Sequence, residues 1–170
     1  MSGRAAAFLD RDGVLNLDRG YVHRIKDLEW VEGAQKAVRR LNAAGYLVVV
    51  VTNQSGIGRG YYDEAALEAV HAHLAAEFEA AGARIDAFYA CPFHPEAIED
   101  RYRHPDHPDR KPNPGLILRA IADWDIDPAL SFMIGDKPSD MEAAKRAGVP
   151  GHPFSGGDLD AVVRGILTTV

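Results

Sequence analysis

A single cysteine, Cys91, is all that the 170 residues contain, so no internal disulfide can staple this chain and its core must hold it. Long apolar stretches are missing too. Nothing near the N-terminus resembles a signal peptide or a membrane span, which leads us to expect a cytoplasmic protein without a membrane partner. Basic blocks are equally scarce: 19 Lys and Arg face 25 Asp and Glu, for a formal charge of -6. That balance argues against nucleic acid as a partner, and a phosphate-bearing ligand would have to be drawn in by local positive charge. What remains is ordinary for a soluble domain, with 46% apolar and 26% charged residues. The length suits one domain, expected over residues 1–170, with a core large enough to need no structural metal.

The chain is organised around Phe8-Leu9-Asp10-Arg11-Asp12-Gly13-Val14-Leu15-Asn16. The apolar run from Ala5 to Leu9 reads as a short buried strand that delivers two carboxylates at i and i+2, on one side of the strand end. Two like charges so placed strain each other's ionisation unless a cation sits between them or one keeps its proton. The first outcome is a divalent-metal site and the second a nucleophile beside a general acid. Gly13 lets the backbone turn away.

Downstream, strands and helices alternate. Residues 17–32 read as a loop or small hairpin that could fold over the strand end. Ala34, Ala37, Val38, Leu41 and Ala44 recur at helical spacing and stop at Gly45. Tyr46 to Val51 is a β-branched run of the kind buried on both faces in parallel sheets. A second helix follows Asp63 as N-cap, with Leu67, Val70, Leu74 and Phe78 as its stripe, and Ile85 to Ala90 is the third strand. Six of the ten prolines and three of the seven histidines fall between Cys91 and Pro114, so this segment reads as a long ordered loop. Asn113-Pro114 has the pairing that starts a helix, expected to run to Trp124. Leu130 to Ile134 is the fourth strand. Ser139 to Glu142 matches a capping box for the next helix, and a short strand over residues 149–154 and a helix from Asp158 complete an α/β chain. Such alternation predicts a doubly wound parallel sheet with helices on both faces, whose ligand belongs at the carboxyl ends of the strands.

The residues just past those ends are Asp10 and Asp12, Thr52 and Asn53, the Cys91 to Lys111 loop, and Asp136. Three carboxylates, a hydroxyl, a carboxamide and one or two cations make an inventory for metal-assisted phosphoryl transfer. A carboxylate nucleophile needs the phosphate's charge neutralised first, which magnesium on oxygen ligands and a lysine can do. Asp10 and Asp136 are the side chains expected to hold the metal.

These four strand-end segments resemble, in order, the motifs of the haloacid dehalogenase (HAD) superfamily of phosphatases: Asp10-Arg-Asp12-Gly13, Thr52-Asn53-Gln54, Arg110-Lys111-Pro112 and Gly135-Asp136-Lys137-Pro138-Ser139-Asp140. The resemblance implies a Rossmann-like, HAD-like fold and an aspartyl-phosphate formed on Asp10. It implies that Asp12 protonates the leaving alcohol and later deprotonates water. Magnesium would be held by Asp10, Asp136 and the carbonyl of Asp12. Thr52 and Lys111 would hold the phosphoryl oxygens, Asn53 would orient the group, and Asp140 or Lys137 would support the metal shell. The wording of Asp10 to Asn16, Val51 to Gly60 and Arg110 to Gly115 is similar to the capless D-glycero-D-manno-heptose-1,7-bisphosphate 7-phosphatases, with histidinol-phosphate phosphatases as the sister group. A monomer acting on a small phosphorylated sugar is therefore expected, with histidinol phosphate or another sugar phosphate as the alternative substrate and no large cap domain. A bisphosphate needs a second anion clamp, for which Arg110 is placed; Arg59 and Arg11 are weaker candidates. A binder of the same fold without turnover is the other class, but a pure binder has no need of the second carboxylate.

Both families resembled commonly carry a loop zinc on Cys-x-His and Cys-x-Cys. The corresponding residues here are Cys91, Phe93, His107 and Asp109. Phe93 cannot ligate, and Asp109 is harder than structural zinc prefers. His94 and His104 are possible substitutes, but the expectation is a loop held by its prolines and packing. Ser55 to Gly60 lacks the dinucleotide spacing and reads as a flexible loop near the substrate. His71 and His73 are expected to be boundary or solvated residues of a helix away from the strand ends, and Trp30 and Trp124 to pack at the core edge.

Overall fold

A computed structural model describes residues 3–169 and shows a five-stranded, all-parallel sheet in the order β3-β2-β1-β4-β5. The elements run β1 (Ala6–Leu9), α1 (Ala34–Ala43), β2 (Leu47–Asn53), α2 (Glu64–Ala80), β3 (Ala87–Cys91), α3 (Gly115–Trp124), β4 (Phe132–Gly135), α4 (Pro138–Arg146), β5 (Gly151–Pro153) and α5 (Leu159–Leu167). Parallel pairing fixes the register, with Phe8 opposite Val49 on one side and Met133 on the other.

The period of two along the strands divides the core into two layers. Ala7, Leu9, Val48 and Val50 face α1, α2 and α5 through Leu41, Leu74, Phe78 and Val163. Ala6, Phe8, Val49 and Val51 face α3 and α4 through Leu116, Ile117, Ala143 and Ala144. The apolar runs of β1 and β2 have no polar alternation for this reason: both faces are covered. Arg40 bonds both carboxylate oxygens of Asp160, at 2.8 and 3.1 Å, and so ties α1 to α5. A third, smaller cluster of Ile57, Leu67, Ala97 and Tyr102 anchors the 91–114 loop against α2. No large cap is inserted, and no helix is long and apolar enough to cross a membrane among the described residues.

The expected elements are all present, with shifted ends. Asp63 caps α2 as expected by accepting from the Ala66 N–H at 2.8 Å. Two other caps are corrected. Asn113 does not start α3; its amide donates to Asp106 and to the His107 carbonyl inside the loop, and the helix begins after Pro114. Helix α4 opens at Pro138, not Ser139, because the Asp140 carboxylate accepts from the Asp136 and Lys137 N–H groups, both at 3.1 Å. The cap thus falls on Lys137, two residues before Ser139, and this matters to the site, since it commits Asp140 to the helix N-terminus.

Strand order places β1 between β2 and β4, the point where the chain changes direction across the sheet. The crevice outside the ends of β1 and β4 is where such a sheet receives a ligand.

Candidate active site

Strand β1 ends at Leu9 and hands Asp10 to this crevice. The Asp10 Oδ1 accepts from the Arg11 N–H at 2.8 Å and lies 3.1 Å from Lys111 Nζ. Lys111 is buried; its ammonium also pairs with Asp140 Oδ1 at 2.6 Å and donates to the Val51 carbonyl at 2.9 Å. Asn53, at the end of β2, clamps the backbone of that lysine: its amide donates to the Lys111 carbonyl and its Oδ1 accepts from the Lys111 N–H. Burial pushes the Asp10 carboxyl up to about 7, with Lys111 opposing the rise and Asp140 and Asp12 adding to it. Burial works against the charge of Lys111 as well, but Asp10 and Asp140 outweigh it and hold the ammonium above its ordinary value.

Two glycines make room for the acidic cluster. Gly13 has φ +87°, and a Cβ there would lie 2.1 Å from Asp136 Oδ2; at Gly135 a Cβ would overlap the Asp140 side chain at 2.3 Å. Carboxylate oxygens of Asp10, Asp136 and Asp140 consequently lie within 4.8 Å of one another. Both oxygens of Asp140 are engaged by Lys111 and the start of α4, whereas Asp136 Oδ1 is buried with no hydrogen-bond partner among the described residues. Burial pushes the Asp136 carboxyl up. Three carboxylates against one lysine, with an Asp136 oxygen orphaned, fit a divalent cation, which Asp136 and the neighbouring Asp10 are placed to hold.

Asp12 turns its carboxylate away from this cluster. Its Oδ1 accepts from Arg11 Nη2 at 2.8 Å and Asn16 Nδ2 at 3.0 Å, and its Oδ2 from Gln54 Nε2 at 3.1 Å. Gln54 also donates to Thr52 Oγ1 and accepts from the Tyr62 hydroxyl at 2.5 Å. Thr52 thus sits one layer back, nearly inaccessible, with its hydroxyl held by Gln54. The motif Thr52-Asn53-Gln54 assigns Gln54 no role, although it follows Thr52 by two along a strand end and so shares its side.

Asp10, Asp12, Asn53, Lys111, Lys137, Ser139 and Asp140 enclose a cavity of about 40 Å³. It adjoins a cleft of about 450 Å³ to which Asp18, Tyr21, Ser55, Tyr62 and Arg110 contribute. Arg110 makes one long contact, to the Phe93 carbonyl at 3.4 Å, and no ion pair among the described residues. Arg11 is corrected: it is fully buried and donates to Asp12 and the Val22 carbonyl, so it cannot serve as an anion clamp. Arg59 is engaged with His94 Nε2 at 3.0 Å.

His71 is a second correction. It is 8% exposed and its Nε2 lies 3.2 Å from Arg11 Nη1. Burial, then Arg11, hold its pKa down to about 3, with Asp12 opposing. A depressed folded-state pKa means the unfolded chain takes up the proton first as the pH falls. The stability this neutral histidine contributes is therefore complete above about 6.5 and lost progressively toward 3. Thermal melts are expected to show the wild type losing ground to His71→Gln across that window, and parallel pH curves would contradict it.

The 91–114 loop does not gather a zinc site. Phe93 stacks on the His107 ring at 3.8 Å between centroids, Asp109 pairs with Arg119, and His94 Nδ1 accepts from the Glu96 N–H. Burial raises the Cys91 thiol to about 11. Among the described residues, His, Cys, Asp and Glu side chains converge in threes at Asp10, Asp136 and Asp140, not here. Metal analysis of untagged protein is expected to find well under one zinc per chain, and one tightly held zinc would contradict this packing.

Comparison with known proteins places this geometry. A HAD-hydrolase-like family model matches residues 109–154. The D-glycero-beta-D-manno-heptose-1,7-bisphosphate 7-phosphatase of Rhodopseudomonas palustris is 48% identical over 96% of this chain and 91% of its own length. The D-glycero-alpha-D-manno-heptose-1,7-bisphosphate 7-phosphatase of Burkholderia mallei is 46% identical over 85% of this chain and 76% of its own. Among solved structures, the D,D-heptose 1,7-bisphosphate phosphatase of B. bronchiseptica, complexed with magnesium and phosphate, superposes with a TM-score of 0.86 and 30% identity, covering 98% of this chain and 99% of that one. With that identity running the length of a HAD sheet whose strand ends converge on Asp10, Lys111 and Asp136, the chain belongs to the heptose-1,7-bisphosphate 7-phosphatase family of HAD hydrolases and is a phosphatase.

Proposed function

We propose that this phosphatase removes the 7-phosphate of D-glycero-D-manno-heptose 1,7-bisphosphate, with magnesium bound and through an aspartyl-phosphate on Asp10. The observation that carries the reading is the placement of Asp10, Asp12 and Lys111 around one small cavity that adjoins a cleft bearing Arg110. The first phosphate enters beside Lys111, whose ammonium offsets its charge. Asp10 Oδ1 is already held by Lys111 and the Arg11 N–H, which leaves Oδ2 to attack phosphorus. The new O–P bond forms as the bond to the sugar oxygen breaks, and Asp12 delivers a proton to that oxygen. Water, deprotonated by Asp12, then attacks the phospho-aspartate, releasing phosphate and restoring Asp10.

Magnesium held by Asp10, Asp136 and the Asp12 carbonyl would neutralise the phosphoryl oxygens and reduce repulsion between phosphate and carboxylate. Chelation is accordingly expected to abolish phosphate release and magnesium to restore it.

The second phosphate would meet Arg110 in the wider cleft. A charge-assisted contact of about 1.5–3 kcal/mol predicts that Arg110→Ala lowers kcat/KM for the bisphosphate by roughly 10–150-fold, mainly through KM, with a much smaller loss on a simple aryl phosphate. Equal losses on both would remove Arg110 from substrate recognition. Phosphate release from both anomers of heptose 1,7-bisphosphate, histidinol phosphate and fructose 1,6-bisphosphate tests the substrate assignment. A preference of about a hundredfold for a heptose anomer, roughly 2.7 kcal/mol, is expected, and faster turnover of histidinol phosphate would overturn it.

A further inference from the structure

We infer that His71 is a positioning residue for the acid-base carboxylate, acting through the buried guanidinium of Arg11. The inference rests on the reading of Asp12 as proton donor and acceptor. Arg11 is fully buried next to the small cavity, and its Nη2 donates both to Asp12 Oδ1 at 2.8 Å and to the Val22 carbonyl at 2.7 Å. Its Nη1 has one partner among the described residues, His71 Nε2 at 3.2 Å. A guanidinium only donates, so that nitrogen must present its lone pair and the ring proton resides on Nδ1, a tautomer fixed here by the network.

The ring itself is held on two sides. Helix α2 carries it, and Phe88 of β3 stacks on it at 4.4 Å with the planes 16° apart. Orientation therefore passes from α2 and β3 to the imidazole, from the imidazole to the guanidinium, and from there to one oxygen of Asp12, while Gln54 holds the other.

The choice of a neutral acceptor has a chemical reason. Apart from Asp12, the acidic groups near His71 are Glu64 and Glu68, which line the cleft behind it. A carboxylate at position 71 would compete with Asp12 for the guanidinium and draw it away. An imidazole lone pair fixes the guanidinium while leaving its charge to Asp12. Removing the lone pair would leave a buried N–H without a partner and give Arg11 freedom to rotate, loosening Asp12 at the leaving oxygen.

The test compares the magnesium-loaded wild type with His71→Leu, His71→Gln, Asp12→Asn and the Asp12→Asn/His71→Leu double variant. The readout is kcat/KM on heptose 1,7-bisphosphate, whose alkoxide leaving group needs a proton, and on p-nitrophenyl phosphate, whose leaving group does not. His71→Leu is expected to lower kcat/KM on the sugar phosphate about tenfold more than on the aryl ester. His71→Gln, which can return an acceptor oxygen to the Nε2 position, recovers most of that loss. In the Asp12→Asn background His71→Leu adds nothing further on the sugar phosphate. If His71→Leu does not melt cooperatively, His71→Met, similar in size and without the nitrogen lone pair, takes its place. Equal losses on the two esters, or the same loss with and without Asp12, overturn the positioning role. Unimpaired sugar-phosphate turnover by Asp12→Asn would instead overturn the acid-base reading beneath it.

Discussion

Asp10→Asn is expected to lose phosphate release by on the order of 10⁴-fold or more, as removal of a covalent nucleophile does, while the protein stays folded. The fold survives because the substituted group is one whose ionisation burial already opposes, with a pKa raised to about 7. An amide of the same shape can accept the Arg11 N–H and removes a buried negative charge from a cluster that has three. Lys111 keeps Asp140 and the Val51 carbonyl as partners. What is lost is the oxygen that attacks phosphorus and a metal ligand. Phosphate release with magnesium, measured beside a thermal melt, checks both halves; a folded variant that still turns over would remove Asp10 from the nucleophile's role.

Lys111→Met is expected to harm both activity and stability. Among the described residues the ammonium is the one cation in contact with both Asp10 and Asp140, at 3.1 and 2.6 Å, and all three side chains are buried. Taking one partner from a buried ion pair costs about 3–5 kcal/mol, because the remaining charge is left uncompensated. For a chain of this size that is a fall in melting temperature of roughly 6–20 °C. The deficit depends on pH in a definite direction. Asp10 has a folded-state pKa above its unfolded value of 3.8, so the stability linked to its protonation is present below that value and is lost as pH rises through about 7. Without lysine the penalty of the ionised form grows. Melts in chelator should therefore show a smaller gap between wild type and variant at pH 5 than at pH 8, and a constant gap would mean the lysine's charge is not what holds this cluster.

Much of this was legible in the chain itself. The runs Ala5 to Leu9 and Tyr46 to Val51 are apolar without alternation, which both faces of a covered sheet require, and they became β1 and β2. Asp10, Asp12 and Asp136 could be gathered from strand ends, because a parallel sheet brings those ends to one edge, whereas Lys111, far along the loop after β3, stood out through the resemblance to the HAD lysine motif. The errors arose where a local pattern competed with a distant partner. Ser139 to Glu142 matches a capping template, yet Asp140 caps the helix from inside it because its other oxygen must also meet Lys111. Asn113 resembles an N-cap, yet Asp106 and the His107 carbonyl claim its amide. His71 and Arg11 are 60 residues apart, and nothing in the spacing of α2 reveals that this helix packs over the end of β1. A histidine on the apolar side of the stripe, beside Val70 and Leu74, was the available sign that it is buried and so needs a partner.

The most direct test of the account is to trap the intermediate: quench the magnesium-loaded enzyme during turnover of heptose 1,7-bisphosphate with borohydride, which reduces an acyl phosphate to an alcohol, and sequence the peptides by mass spectrometry. Homoserine is expected at position 10, dependent on substrate and absent without magnesium. Asp10 recovered intact from an enzyme that is releasing phosphate, with reduction at another carboxylate, would contradict it.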